Sequence, residues 1–235
     1  MDKHKSGSKT GVLCYQCAAE ACSREHAPPL CFFPDQVNIG SNLRKNLITV
    51  PSCDEHNSKK STDDEYLRWV ILSSTAHASR IADHQFMGKM IRGAKRNAGA
   101  YSNYYTEHGQ IDSGEKTVLQ IDRNRFDKCI DHLSRALFFH EFQKQWLLPI
   151  LVLSPNFFSS LKNNELEEHG STNEGVNVIR EFLWCEPSLG ENPEVFKYRM
   201  RFDAKANMFA LAAIFYDFFE IYAVSSPALV TDVAM

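Results

Sequence analysis

Two short residue pairs have the composition of a metal site. Cys14 and Cys17 form a Cys-x2-Cys pair, and Cys53 and His56 form a Cys-x2-His pair. Thiolate sulfur and imidazole nitrogen are the ligands that Zn²⁺ prefers, and a structural zinc site takes four of them in a tetrahedron. We therefore expect these four residues to bind one structural Zn²⁺ that joins the two ends of the intervening segment.

The segment between the two pairs carries side chains that could take part in hydrolysis. Glu25 and His26 are adjacent and precede two prolines, Asn46 follows later, and Asn57 comes directly after the second pair. A neutral imidazole can act as a general base near pH 7. Carboxylate and amide oxygens are ligands for Mg²⁺ or Mn²⁺. The zinc would thus hold a base and a possible cation site in one small unit.

The order of these motifs resembles a known family. Residues 11 to about 74 are similar to the HNH endonuclease module, whose fold is called ββα-metal. The matching pieces, in the family's order, are CYQC (14–17), EHAPP (25–29), NLITVPSC (46–53) and CDEHN (53–57). The chain departs from the family at His56, where cysteine is commoner, and at Glu25, where aspartate is commoner. Both replacements keep the donor chemistry.

The resemblance implies a metal-dependent endonuclease that hydrolyses phosphodiester bonds. DNA is the expected substrate and RNA the alternative. His26 would be the general base, Glu25 and Asn57 would bind a catalytic Mg²⁺ or Mn²⁺, and Asn46 would orient the histidine or pin its hairpin. Small HNH proteins of this kind are often bacterial defence or mobile-element effectors, and this role is also implied by resemblance.

Two other interpretations of the cysteine pairs stay open. One is an ordinary zinc finger, but fingers usually place about 12–20 residues between their halves, whereas 35 residues separate Cys17 from Cys53. The other is a zinc-stabilised module that binds nucleic acid or protein without catalysis. It would apply if the C-terminal half buried the catalytic residues.

Composition and charge favour a cytoplasmic protein that contacts nucleic acid through its first half. The polar residues 1–10 do not form a secretory signal, and seven cysteines fit a reducing compartment. Residues 1–100 contain 14 Lys+Arg and 10 Asp+Glu, whereas residues 101–235 contain 12 and 19. A nuclease needs positive potential near the phosphates, so the acidic second half is expected to contact a protein or serve as a scaffold. No membrane contact is expected.

The patterns predict an α+β fold with four segments. Residues 1–10 are expected to be disordered, 11–97 to form the HNH module and its following helices, 98–116 to be a linker, and 117–235 to form a C-terminal α+β domain. Within the module we expect a ββα unit whose short helix begins near Cys53, a further helix from about Ser61 to residue 74, and a weaker helix over about 78–97.

The second half is expected to alternate strands and a helix. Strands are predicted near Val118, at 147–153 and at 196–202, and a helix from about Phe126 to Gln145. The apolar runs on either side of Asp217 could be paired strands or one buried helix, and strands are preferred. No catalytic motif is found in this half.

Overall fold

A computed structural model describes residues 11–35, 40–75, 78–96, 110–112, 117–119, 121–157, 160–162, 165–167 and 170–229. The strands are β1 (Ser23–His26), β2 (Thr49–Ser52), β3 (Gln110–Asp112), β4 (Thr117–Leu119), β5 (Leu151–Leu153), β6 (Ser160–Lys162), β7 (Glu165–Glu167), β8 (Phe196–Asp203), β9 (Met208–Phe215) and β10 (Phe219–Ser225). The helices are α1 (Ser61–Thr75), α2 (Arg80–Gln85), α3 (Ile91–Arg96), α4 (Arg123–Phe142) and α5 (Gly170–Phe182). The predicted α+β class is confirmed.

The first half is built on a hairpin followed by helices. β1 and β2 pair in antiparallel register, with Glu25 opposite Val50 and His26 opposite Thr49. Because side chains alternate along a strand, Glu25 and Val50 face the core, and the less buried His26 and Thr49 lie on the other face. The short helix expected to begin near Cys53 is not an α-helix; the segment forms turns and a 3₁₀ turn at Ser58–Lys60, which leads directly into α1.

Helix α1 connects this hairpin to the rest of the molecule. Its buried positions include Leu67, Val70 and Ile71, which recur at helical spacing. In its first turn, Asp63 accepts a hydrogen bond of 2.8 Å from the Arg125 guanidinium of α4. A carboxylate near a helix N-terminus is stabilised by the helix dipole as well as by its cationic partner. The contact therefore ties the start of α1 to α4.

The C-terminal half contains a four-stranded antiparallel sheet in the order β5-β10-β9-β8. One face packs on α4 through aromatic side chains such as Phe138 and Phe209, whose ring centroids are 5.3 Å apart. On the other face, Val176 and Ile179 of α5 form a second cluster with small sheet residues such as Ala212. The sheet is thus covered by a helix on each face, which accounts for the nearly continuous apolar sequences of its central strands β9 and β10.

One hydrophobic core extends through both halves of the chain. Its buried residues run from Cys14 in the first half to Ala223 in β10. The carbonyl oxygen of Phe32 accepts hydrogen bonds from Gln85 Nε2 at 2.9 Å and from the hydroxyl of Tyr216 at 2.8 Å. Since buried polar groups must be satisfied, these bonds hold the hairpin region against the C-terminal sheet.

Most element predictions agree with the structure, with several differences. The apolar runs beside Asp217 are the paired strands β9 and β10, as preferred from the sequence. The expected helix over 78–97 is divided into α2 and α3 by a π turn at Phe86–Met90. Helix α5 and the β6–β7 hairpin were not predicted.

The predicted linker and the predicted disordered N-terminus are mostly outside the described residues. Residues 1–10 lie wholly outside them. Of residues 98–116, the structure describes only Gln110–Asp112, which form β3 and pair with β4. None of the described helices has both the length and the apolar character needed to cross a membrane.

Candidate metal centre and active site

The four predicted zinc ligands lie together. The ligand atoms of Cys14, Cys17, Cys53 and His56 are all within 4.8 Å of one another. Nδ1 of His56 lies 3.3 Å from Sγ of Cys53 and 3.5 Å from Sγ of Cys14, and the sulfur atoms of Cys17 and Cys53 are 3.8 Å apart. Three sulfur atoms and one nitrogen at this spacing fit the tetrahedral donor set of a structural Zn²⁺.

The pKa values of the cluster residues are shifted in different directions. Burial opposes ionisation of Cys14, but backbone N–H groups of Cys53, Gln16 and Cys17 together hold its pKa below the usual value. Burial and the neighbouring thiols raise the pKa of Cys53 to about 11. Burial lowers the pKa of His56 and so favours the neutral ring that a metal requires. A bound Zn²⁺ would stabilise the adjacent thiolates that otherwise repel one another.

A residue from the C-terminal half holds the first cysteine pair in place. The side-chain amide of Gln145, just beyond α4, donates hydrogen bonds to the carbonyl oxygens of Cys14 at 2.6 Å and Cys17 at 2.8 Å. Backbone carbonyls in a tight metal-binding turn need such partners when they are partly buried. The turn that carries Cys14 and Cys17 is therefore held by Gln145 from one side, and an ion bound at the cluster would hold it from the other.

His26 occupies the end of β1 and is only partly buried. Burial lowers its pKa, and the positive charge of Arg44 lowers it further. The Arg44 guanidinium is itself held by the carbonyl oxygen of Phe33 and by the carboxylate of Asp35. The imidazole is therefore neutral near pH 7, which is the form needed to accept a proton.

Glu25 has a different environment from the one expected of a metal ligand. It is 6% exposed, and its carboxylate lies 2.6 Å from the ammonium of Lys60, which also pairs with Asp64 at 2.7 Å. Burial raises the pKa of Glu25, although Lys60 acts in the opposite direction. Burial lowers the pKa of Lys60, but the two carboxylates raise it overall. The three side chains form a buried ion cluster between β1 and α1.

The two predicted asparagines also have defined positions. Asn57 Nδ2 donates hydrogen bonds to the hydroxyl of Ser23 at 2.8 Å and to the carbonyl oxygen of Arg24 at 3.3 Å, so it fixes β1 against the zinc-binding segment. Asn46 lies in the turn before β2 with φ of 53°, a left-handed conformation that asparagine tolerates. In the part of the chain that the structure describes, no hydrogen bond joins Asn46 to His26.

The positions of Glu25 and Asn57 can be compared with what a catalytic Mg²⁺ or Mn²⁺ would require. The cavity beside Glu25 and His26 has a volume of about 10 Å³, roughly the space of one water molecule. Mg²⁺ usually retains several waters, and Lys60 already neutralises Glu25, while the amide nitrogen of Asn57 contacts Ser23. As placed, Glu25 and Asn57 do not fit a hydrated divalent ion. The catalytic ion therefore stays a prediction of the resemblance.

Several residues at this site could not be recognised from their own motifs. Lys60 is one of two adjacent lysines in the sequence, and only its burial distinguishes it from Lys59, which forms an exposed pair with Glu55. Gln145 is 128 residues from Cys17 and no local pattern connects them. Arg24 could have been noted, because the period of a strand places it on the same face as His26.

Replacing a zinc ligand tests the metal centre. Cys53→Ser is expected to lose the bound zinc and to unfold the region around β1 and β2, because metal binding supplies much of the folding energy of such small units. The metal content of the purified protein is measured by elemental analysis. The control is Cys185→Ser, because Cys185 is exposed and lies outside the cluster. This variant should keep about one zinc per chain. Equal zinc contents in the two variants would show that the ligands are wrongly assigned.

Replacing the buried lysine tests the ion cluster. Lys60→Met should destabilise the fold by about 3–5 kcal/mol, because it leaves Glu25 buried without its cation. Adding Glu25→Gln should recover part of that loss, and urea unfolding of the single and double variants measures the coupling. Lys59→Met provides the matched control and should change stability little, since its pair is exposed. Strictly additive effects of Lys60→Met and Glu25→Gln would contradict a direct pair.

Comparison with known proteins gives no match to this chain among protein-family models, curated proteins or solved structures.

Proposed function

We propose that this protein is an endonuclease that cleaves phosphodiester bonds with His26 as the general base. The observation that carries the proposal is the position of His26 at the end of β1, in a β1–β2 hairpin whose two ends meet at the Cys/His cluster. Its lowered pKa keeps the ring neutral and able to accept a proton near pH 7. DNA is the substrate that the motif resemblance favours.

In the proposed reaction on DNA, His26 takes a proton from a water molecule as the water oxygen attacks phosphorus. The bond to the leaving oxygen breaks, and the leaving oxygen gains a proton from solvent. Asn57 contributes by holding the β1 backbone through Ser23 and Arg24. No step of this reaction is assigned to a divalent ion, because Lys60 already neutralises the Glu25 carboxylate.

RNA is a second candidate substrate, and the Glu25–Lys60 pair favours it. RNA carries its own nucleophile, the 2′-hydroxyl, so its cleavage does not require an ion to activate water. His26 would remove the 2′-hydroxyl proton, the oxygen would attack the adjacent phosphorus, and the 5′ oxygen would leave and take a proton from solvent. The product would carry a 2′,3′-cyclic phosphate.

A non-catalytic binding module is the candidate from another class. It is favoured by the engagement of both predicted ion ligands in contacts that hold the fold, Glu25 with Lys60 and Asn57 with Ser23. In that case the zinc-stabilised hairpin would present its exposed face to nucleic acid or to a protein without turnover. The bacterial defence role belongs to the proposal in either case, and it rests on resemblance alone.

Loss of the base tests the proposed function. His26→Ala should reduce cleavage by about 10²–10⁴-fold while keeping zinc and stability, because His26 is neither a zinc ligand nor part of the buried ion cluster. Plasmid DNA, single-stranded DNA and RNA are each incubated with wild type and variant, in Mg²⁺, in Mn²⁺ and in EDTA. RNA cleavage that continues in EDTA supports the second candidate. If the wild type cleaves none of these substrates, the endonuclease proposal is wrong and the non-catalytic binding module is the remaining candidate.

The pH dependence of cleavage gives an independent test. Since the active form of His26 is neutral and its pKa is lowered, kcat/KM should fall only as the pH drops below about 6.5, the ordinary histidine value, and should be flat near pH 7. The measurement is the initial cleavage rate at low substrate concentration from pH 4.5 to 8.5, with zinc content checked at each pH. A rate that still rises steeply above pH 7 would exclude His26 as the base.

A further inference from the structure

The guanidinium of Arg24 is fixed in position without a negative partner among the residues that the structure describes. Its Nε donates to the hydroxyl of Thr49 at 2.8 Å, and its Nη2 donates to the carbonyl oxygen of Thr49 at 2.7 Å. Both acceptors are neutral, and among the described residues no carboxylate forms an ion pair with Arg24. The side chain is exposed. Its positive charge is thus pre-oriented and uncompensated.

Three other arginines differ from Arg24 in this respect. Arg44 pairs with Asp35, Arg125 with Asp63, and Arg135 with Asp131. A guanidinium that is already neutralised gains little from binding an external anion. Arg24 retains N–H groups without a partner among the described residues, and the planar fork of arginine matches the oxygen atoms of a phosphate.

Arg24 lies at a groove that both halves of the chain form. The groove has a volume of about 660 Å³, and its first wall includes Arg24 and the β2 segment around Thr49. The second wall includes the end of α4 at His140 and the loop at Gly190. Its acidic residues, Glu141 and Glu191, belong to this second wall, and Glu141 accepts a hydrogen bond of 2.6 Å from the hydroxyl of Tyr198.

His26, the proposed base, lies next to the groove but does not line it. Arg24 and His26 are two residues apart on one strand face, which corresponds to about 6.7 Å, whereas His26 lines the smaller cavity next to Glu25. A nucleic acid strand that passes His26 can therefore place a different phosphate, further along its backbone, against Arg24.

We propose that Arg24 binds a phosphate flanking the scissile bond, and that the groove between β2 and the end of α4 accepts the adjoining nucleotides. Thr49 is the positioning residue, since it orients the guanidinium. The inference rests on the proposed function in that the strand in the groove is the one that His26 would cut. In this proposal, the C-terminal half forms one wall of the nucleic acid binding site.

Binding at several salt concentrations tests the proposal. Zinc-loaded full-length His26→Ala protein is mixed with labelled single-stranded DNA or RNA of one sequence, and affinity is measured as a function of salt. Each phosphate contact on a single strand contributes about −0.7 to the slope of log K against log salt. Arg24→Gln should make the slope shallower by about this amount, and Arg24→Lys should preserve it.

Arg199 provides the matched control. Like Arg24, it donates to a neutral acceptor, the carbonyl oxygen of Trp184 at 2.7 Å. It forms no ion pair among the described residues and does not line the groove. Arg199→Gln should leave the slope unchanged. Equal slopes for Arg24→Gln and Arg199→Gln, or no binding of either strand by the parent protein, would overturn the proposal.

Chemical labelling of the wild-type protein tests the proposal without relying on the correct folding of a variant. An arginine-directed dicarbonyl reagent is applied to wild-type protein with and without the oligonucleotide, and labelled peptides are quantified by mass spectrometry. The strand should protect Arg24 and not Arg199, and equal labelling of Arg24 in both samples would overturn the proposal. If binding depends on Arg24 but the wild type does not cleave the strand, the endonuclease proposal is wrong and the Arg24 proposal stands. If the wild type cleaves but Arg24→Gln leaves the salt slope unchanged, the Arg24 proposal is wrong and the endonuclease proposal stands.

Discussion

The Cys/His cluster is the constraint on which the N-terminal half depends. β1 and β2 are four residues each, and a hairpin of two short strands is at best marginally stable alone. The cluster joins the turn at Cys14–Cys17 to the segment after β2, so both ends of the hairpin are fixed to one point. With the ends fixed, His26 has a defined position relative to Asn57, and the 3₁₀ turn before α1 starts from a defined direction.

The C-terminal half completes this unit as well as packing against it. Gln145 donates to the carbonyl oxygens of Cys14 and Cys17, and Asn192 donates to the carbonyl oxygen of Lys45 in the turn before β2. The buried hydroxyl of Tyr216 contacts Phe32 in the same way. These bonds join residues more than 120 positions apart, and one hydrophobic core lies behind them. The hairpin region and the C-terminal half are therefore joined by particular polar contacts as well as by the core.

The two roles considered for the Glu25 carboxylate, metal ligand and member of a buried ion cluster, require different environments. As a metal ligand it would need water and an open coordination site, whereas in a buried ion cluster it needs a fixed cation and little water. Lys60 and Asp64 supply the second environment. Arg24, on the opposite face of the same strand, has neutral hydrogen-bond partners and an uncompensated charge. Strand alternation thus separates a charge used for stability from a charge open to an anion.

Local sequence determined much about the fold and the metal centre. The two x2 pairs identified the four residues of the Cys/His cluster, because a metal site requires particular ligand types at short spacing. The apolar period of residues 67–71 and the alternation along residues 196–202 identified α1 and β8, because burial on one face imposes those periods. Helix α5 was missed in a polar segment, since its contacts with Ala212 and Tyr222 depend on a sheet formed later in the chain.

Only the tertiary structure decided which charges meet. The sequence placed Glu25 beside His26 and near Asn57 in number, but it contained no information that Lys60 would fold back onto Glu25. It likewise could not indicate that Gln145 would reach Cys14 and Cys17, or that Arg24 would lie at a groove formed with the end of α4. The physical reason is that residue type and spacing determine what a side chain can bind, whereas long-range packing determines which partner reaches it and how much water remains.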